Sequence, residues 1–322
     1  MENAFMSIRC FLLILISLLS GCRHAQQPSP VFIQPVSIST QQIRSLPAFT
    51  QIQAQGQLNV RLRTGFKRSQ VILHGDPRDV AQVTTQVIDN ALILNLGAGY
   101  PRFGPVSAEI RSHYLNEFKY SGAGRITGSQ IHSGLLDLSI DNAGATTLGG
   151  SINLRRLKVA GAGNVTITGA SSQGLQLSMS GSPRVSLNGF VNLTQLNVEG
   201  DGYLSLYWIK SDWLTIRAQD HAVIQLAGIV NKLDVKLCDF AQFHGRFLRA
   251  KRAFVKTLGH SVAEISSIDR QHSLASDASN IYFYNLPEMK TDFMAFDGSV
   301  LDMRDWGTYS LQEYTVLNKQ LQ

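Results

Sequence analysis

Two carboxylates nineteen residues apart, Asp220 and Asp239, are the first residues of this 322-residue chain to suggest chemistry. If the turns of a repeat stack one strand spacing apart, about 4.8 Å, their carboxyl groups approach the roughly 5 Å separation that retaining glycoside hydrolysis uses. That arrangement would suit a polysaccharide-active β-helix enzyme, a lyase or a glycoside hydrolase. The same column, however, runs Gly122, Asn142, Gly161, Gly181, Gly200, Asp220, Asp239, Gly259, Asp277, Asp297. Asp, Asn and Gly interchange where the backbone turns tightly and a short polar side chain bonds to local backbone. The turn reading is preferred, and no catalytic residue is assigned.

His221 and His260 share the next column, with Phe240 between them. Two turns of spacing, on the order of 10 Å, is too far for one metal with ligand bonds of about 2.0–2.3 Å. His244 and His272 read as isolated, and Cys238 occupies a different column. The expectation is therefore no metal and no cofactor. Cys10 and Cys22 lie in the N-terminal apolar segment, which leaves Cys238 alone in the body and excludes an intrachain disulfide framework there. A hydroxyl row, Thr127, Thr147, Thr166, Ser186 and Ser205, reflects β-propensity on an outward face.

Binding is the stronger expectation. Tyr203, Tyr207, Trp208 and Trp213 fall within one repeat, and Tyr282 and Tyr284 project from a later one. Exposed aromatic side chains stack on sugar rings or anchor a protein partner. Arg246, Arg249, Lys251, Arg252 and Lys256 form a run with no acidic residue, suited to lipid headgroups or acidic glycans. These ten aromatic and basic positions, Lys256 aside, make up the candidate binding surface.

What must position them is a repeat of about twenty residues. One apolar anchor per repeat falls at Ile126, Thr146, Val165, Val185, Leu204, Ile224, Phe243, Ala263, Ile281 and Leu301, in steps of 18 to 20 residues. A second column two residues on (Leu148, Ile167, Leu187, Leu206, Leu226, Ile265, Phe283, Met303) is also mostly apolar. A third, eight residues before the anchor, holds Phe118, Leu138, Leu157, Leu177, Leu196, Ile216, Val235, Val255 and Phe293, with a slip in the ninth repeat. Side chains two apart share one face of a strand, and a fixed period of this length marks a solenoid. The fold class is all-β, a parallel β-helix of about ten coils. Its 44% hydrophobic, 16% charged composition and 27 glycines suit a packed repeat protein and exclude disorder. The net charge of +6 suggests anionic lipid or polysaccharide nearby, and no motif points to nucleic acid.

Upstream, Arg9 precedes a short apolar run that closes in Leu19-Ser20-Gly21-Cys22. This resembles a bacterial lipobox, which implies cleavage before Cys22 and acylation of its thiol and amine, and thus an anchor in the membrane. Arg23 after the cysteine, rather than Asp, favours the outer membrane of the cell envelope. The boundaries read as signal segment 1–22, extended tether 23–45, N-terminal β-rich cap 46–114, solenoid 115–306 and tail 307–322. Within the cap, strands are expected at Ile52–Gly56, Leu58–Arg63, Val71–Gly75 and Leu92–Leu96, with a short helix from Pro77 to Val83 capped by Asp76.

The opening Leu46-Pro47-Ala48-Phe49-Thr50-Gln51-Ile52 and Leu58-Asn59-Val60-Arg61-Leu62, with the glycine turns Tyr120-Ser121-Gly122-Ala123-Gly124 and Ala160-Gly161-Ala162-Gly163, resembles the auto-transporter adhesin head GIN domain family (DUF2807 type). The resemblance covers roughly residues 46–230. It implies a right-handed parallel β-helix in bacterial envelope or secreted proteins and supplies no catalytic motif. The expected function is a lipid-anchored, non-catalytic structural or binding module whose partner is a glycan or an envelope protein.

Overall fold

A computed structural model of the chain describes residues 39–284 and 290–303. The signal segment 1–22 with Cys22 and the tail 307–322 lie outside the described residues.

The N-terminal part comprises β1 (Thr40–Ser45), β2 (Gln51–Gln55), β3 (Leu58–Arg63), β4 (Gln70–Gly75), α1 (Pro77–Val80), β5 (Val83–Ile88), β6 (Ala91–Leu96) and β7 (Val106–Arg111). After β8 (Glu117–Gly122) come eight long strands: β9 (Ile126–Asn142), β10 (Thr146–Ala160), β11 (Asn164–Gly181), β12 (Arg184–Gly200), β13 (Tyr203–Ala218), β14 (Val223–Leu237), β15 (Gln242–Thr257) and β16 (Val262–Ser276). The described chain closes with β17 (Asn280–Phe283), β18 (Lys290–Phe296) and β19 (Ser299–Asp302). From β8 onward every pairing between successive layers is parallel, which gives a β-solenoid of about nine turns.

Three inward pairs fill each turn. In β12 they are Val185 with Leu187, Val191 with Leu193 and Leu196 with Val198, all 2% exposed or less. Between pairs the strand bends where its register with the next turn shifts. Gly150, Gly169 and Gly228 take positive φ at these bends (140°, 75° and 144°). A Cβ on Gly169 would overlap the carbonyl oxygen of Gly150 on the turn beside it, so close stacking as well as φ demands glycine there.

The anchor column is paired turn to turn from Ile126 to Ile281. Its last member differs from the expectation. Ile281 faces Val300, which packs against the core, while Leu301 lies opposite Tyr282 and is 44% exposed. Counting by period placed Leu301 there, but the connection into β19 is one residue shorter. The ninth repeat does not slip either: Ser273 holds the column in register between Val255 and Phe293, but Phe293, expected inside, is 60% exposed. Ser273 is buried and accepts a hydrogen bond from Gln271 Nε2 at 2.8 Å, so the column continues with polar residues that an apolar pattern cannot register.

The cap also departs from the expectation. It is built into the stack. β2 pairs in parallel with both β6 and β8, and β3 with β7 and in part β9, so Ile52, Ala54 and Val60 continue the columns of Phe118, Tyr120 and Ile126. β1 occupies the last six residues of the stretch read as tether, in antiparallel register with β4. α1 ends at Val80, and Val83 already begins β5. Asp76 caps the helix as expected, accepting from the Arg78 amide at 3.0 Å. Arg78 also bonds both its carboxylate oxygens and holds its pKa down at about 2.

Tyr120 fastens the cap to the coils. Its buried hydroxyl lies 3.0 Å from the carbonyl oxygens of Gly56 and Leu58 and accepts from the Gly124 amide at 2.7 Å. Tyr120→Phe leaves the Gly124 amide without its acceptor and takes the hydroxyl from both carbonyls, of which that of Gly56 keeps the Leu58 amide at 2.9 Å; a loss of about 1–3 kcal/mol of stability is expected in urea unfolding.

A candidate binding surface on the later turns

The Asp column is a backbone device. Asp220, Asp239, Asp277 and Asp297 have φ of 61°, 60°, 59° and 57°, and Gly161, Gly181, Gly200 and Gly259 have φ between 72° and 92° in the same column. Each position sits in the left-handed region that Gly, Asn and Asp tolerate best. The carboxylates reach back one turn. Asp220 accepts from the Gly200 amide at 2.8 Å, Asp277 from Gly259 at 3.2 Å and Asp239 from Asp220 at 3.4 Å. Asn142, earlier in the column, is buried and bridges Gly124 and Gly144 at 2.9 Å each. The carboxylates thus bind backbone amides instead of facing each other across a cleft. Asp220→Gly is expected to change stability by no more than about 1 kcal/mol. Asp220→Val, which forces a branched Cβ into the left-handed region, should cost about 2 kcal/mol or more in urea unfolding.

The neighbouring column stacks its rings. His221 and Phe240 lie 4.9 Å apart at 2° between planes, and Phe240 and His260 5.1 Å apart at 12°. Asp201 meets His221 Nδ1 at 3.3 Å. Among the described residues no three His, Cys, Asp or Glu side chains gather as a metal site would require. Cys238 is free and half-buried at the turn.

The hydroxyl row is one stretch of a longer column. Arg61, Thr127, Thr147, Thr166, Ser186, Ser205, Gln225, His244, Glu264 and Tyr282 pair in sequence along one outward side. His244, read as isolated, meets Glu264 Oε2 at 3.3 Å, and His272 meets Asp292 at 3.3 Å. Both pairs are one turn apart, and the same twenty-residue period could have found them had it been applied to outward charges.

The expected binding residues separate into groups. Tyr203 and Tyr207 face outward on the side just described, both half-buried. The Tyr203 hydroxyl donates to Gln225 Oε1 at 2.8 Å, and its ring stands 5.8 Å from the Arg184 guanidinium. Trp208 occupies a bend like those that carry glycine in other turns, with φ of 71°, a left-handed conformation that a bulky residue rarely adopts. Its ring is 6.0 Å from that of Phe190. Trp213 lies past the next inward pair, 56% exposed and beneath Lys232 at 5.4 Å, so it does not join the other three. The basic run also divides. Arg252 pairs with Asp269 at 3.2 Å and Lys251 is exposed, whereas Arg246 turns to the tyrosines, 4.9 Å over the Tyr284 ring and 5.4 Å from Phe247. Tyr282 lies in register with Glu264. Burial and the nearby Glu264 charge push the Tyr284 phenol up.

The hydrogen bond to Glu264 raises the His244 pKa above the ordinary histidine value. A raised folded-state value stabilises the fold at pH below the unfolded histidine range, and that contribution is lost as pH climbs through the raised value. NMR titration is expected to place His244 above free histidine, and Glu264→Gln to bring it down.

Residues 48–207 match the family described as putative auto-transporter adhesin, head GIN domain. Among solved structures the chain is similar to a putative adhesin from Parabacteroides distasonis ATCC 8503, with 17% identity, TM-score 0.48 and coverage of 83% of this chain and 98% of that one. A putative adhesin from Parabacteroides merdae ATCC 43184 gives 15% identity, TM-score 0.45 and coverage of 82% and 95%. A putative lipid binding protein from P. distasonis ATCC 8503 gives 12% identity, TM-score 0.46 and coverage of 82% and 96%. No curated protein matches. The segment from Ala48 to Tyr207 is thus similar to the head GIN domain of the putative auto-transporter adhesin family.

Proposed function

We propose that this protein is a lipid-anchored, non-catalytic binding module of the bacterial cell envelope, held at the outer membrane through Cys22 and presenting its solenoid to an envelope or surface glycan. The observation that carries the reading is the unbroken outward column from Arg61 to Tyr282, flanked by Tyr203 and Tyr207. Parallel pairing sets its side chains at one strand spacing, about 4.8 Å. An extended row of hydroxyl, amide and aromatic groups at constant intervals suits a polymer of repeating units better than a compact ligand. The adhesin name of the family agrees with adhesion as the role, and the right-handed winding is taken from the same resemblance.

The lyase or hydrolase alternative loses its best candidates, because the carboxylates of Asp220 and Asp239 are engaged with backbone amides.

Two measurements test the proposal. Wild-type protein should sediment with outer membranes and incorporate a palmitate analogue, and Cys22→Ser should abolish both. On a glycan array the protein should give signals that fall at least about fivefold in the Tyr203→Ala/Tyr207→Ala variant. A blank array with capture of an envelope protein instead would move the partner from glycan to protein.

A further inference from the structure

Among the described residues, Arg246 and Arg249 are two cations of this surface that form no ion pair. Both are half-buried, and each Nε is shut off from water with no hydrogen-bond acceptor. Among the described residues neither guanidinium forms an ion pair, whereas Arg252, in the same strand, pairs with Asp269. The acid on the adjoining strand, Glu264, is bound to His244. A desolvated donor with no acceptor is costly, and native structures satisfy nearly all such groups. The Nη groups are not shut off in this way. Two rings lie near the Arg246 guanidinium, Tyr284 at 4.9 Å and Phe247 at 5.4 Å. A planar fork of that kind matches the two oxygens of a carboxylate or a sulfate better than any point charge would. The half-buried Tyr284 ring beside Arg246, with the half-buried Tyr282 two residues before it, offers the apolar contact that a sugar ring takes.

We propose that Arg246 and Arg249, together with Tyr282 and Tyr284, form a subsite for one acidic sugar of a glycan, its carboxylate or sulfate on the guanidinium groups and its ring against the tyrosines. This rests on the glycan-binding reading above and adds the ligand class and the place. A polymer lying along the outward column would bring its charged sugars to this end of it. Neutral hydroxyl contacts would fill the earlier turns.

Calorimetric titration of the full-length protein in detergent tests it, using three probes of equal length: a galacturonate oligomer, a sulfated oligosaccharide and a neutral cello-oligosaccharide. The acidic probes should bind about tenfold or more tightly than the neutral one, and which acidic probe binds better distinguishes carboxylate from sulfate. Arg246→Gln should weaken the acidic probes about tenfold. Arg246→Lys, which keeps the charge and loses the fork, should recover only part of that, and Arg155→Gln, at an exposed arginine paired with Asp137 outside the candidate surface, should leave binding unchanged. Circular dichroism and melting of each variant separate loss of the site from loss of the fold. If Arg246→Gln is folded and binds the acidic probes as wild type does, the subsite is wrong. Equal binding of acidic and neutral probes that is lost in Tyr203→Ala/Tyr207→Ala overturns the subsite and leaves the glycan module standing. No binding of any oligosaccharide overturns both. Arg246-dependent binding to phosphatidylglycerol vesicles without sugar binding would overturn it in favour of a lipid headgroup.

Discussion

The stacked turns of this molecule follow from the parallel hydrogen-bond ladder that fixes the step between them. A ladder of that kind leaves no freedom in the axial distance between equivalent residues. Interior columns must then be matched in volume, and corners must tolerate a neighbouring backbone directly against them. Gly169, which abuts the Gly150 carbonyl, and the left-handed positions from Gly161 to Asp297 are both answers to that close approach. The aspartates at these corners return something to the ladder by bonding an amide of the previous turn. Trp208 stands out because it meets the corner requirement against its own preference.

Outside, the same step converts sequence spacing into partnership. Arg155 and Asp137, Arg217 and Asp234, Arg252 and Asp269, His244 and Glu264, and His272 and Asp292 each pair across adjacent turns. The Arg155 hydrogen bond holds the Asp137 carboxyl below the usual range. Such exposed pairs contribute little stability individually. Their effect is to penalise a one-residue slip, which would set like charges or unmatched groups opposite each other.

The fold was legible where burial and period coincide. Aliphatic columns from Leu138 to Val255 name their own neighbours, since every residue is both apolar and one turn from the next. Legibility failed where the interior became polar, at Ser273 and Gln271, and where connection length overrode periodicity, at Val300. The cap was harder for a different reason. β2 and β3 lie between layers far away in sequence, so local alternation identifies the strands without telling which turn they join. The binding surface was half legible. Residue types pointed to Tyr284 and Arg246 separately, but only the geometry places one guanidinium over that ring, and only the geometry removes Trp213 from the group.

The interior changes character toward the last turns, where Ser266, Ser267, Gln271, Ser273 and Ser279 are buried at 0–5% exposure in place of aliphatic side chains. In a linear stack each turn is held mainly by its two neighbours, so cohesion is local rather than shared by the whole body. Apolar contact between adjacent turns is therefore weakest at this end. Under tension the described turns would peel from these inward and stop at the aliphatic stretch, in the way that a zipper halts at its first tight tooth. A stack with this gradient yields at one end under load while the turns carrying Tyr203 stay wound.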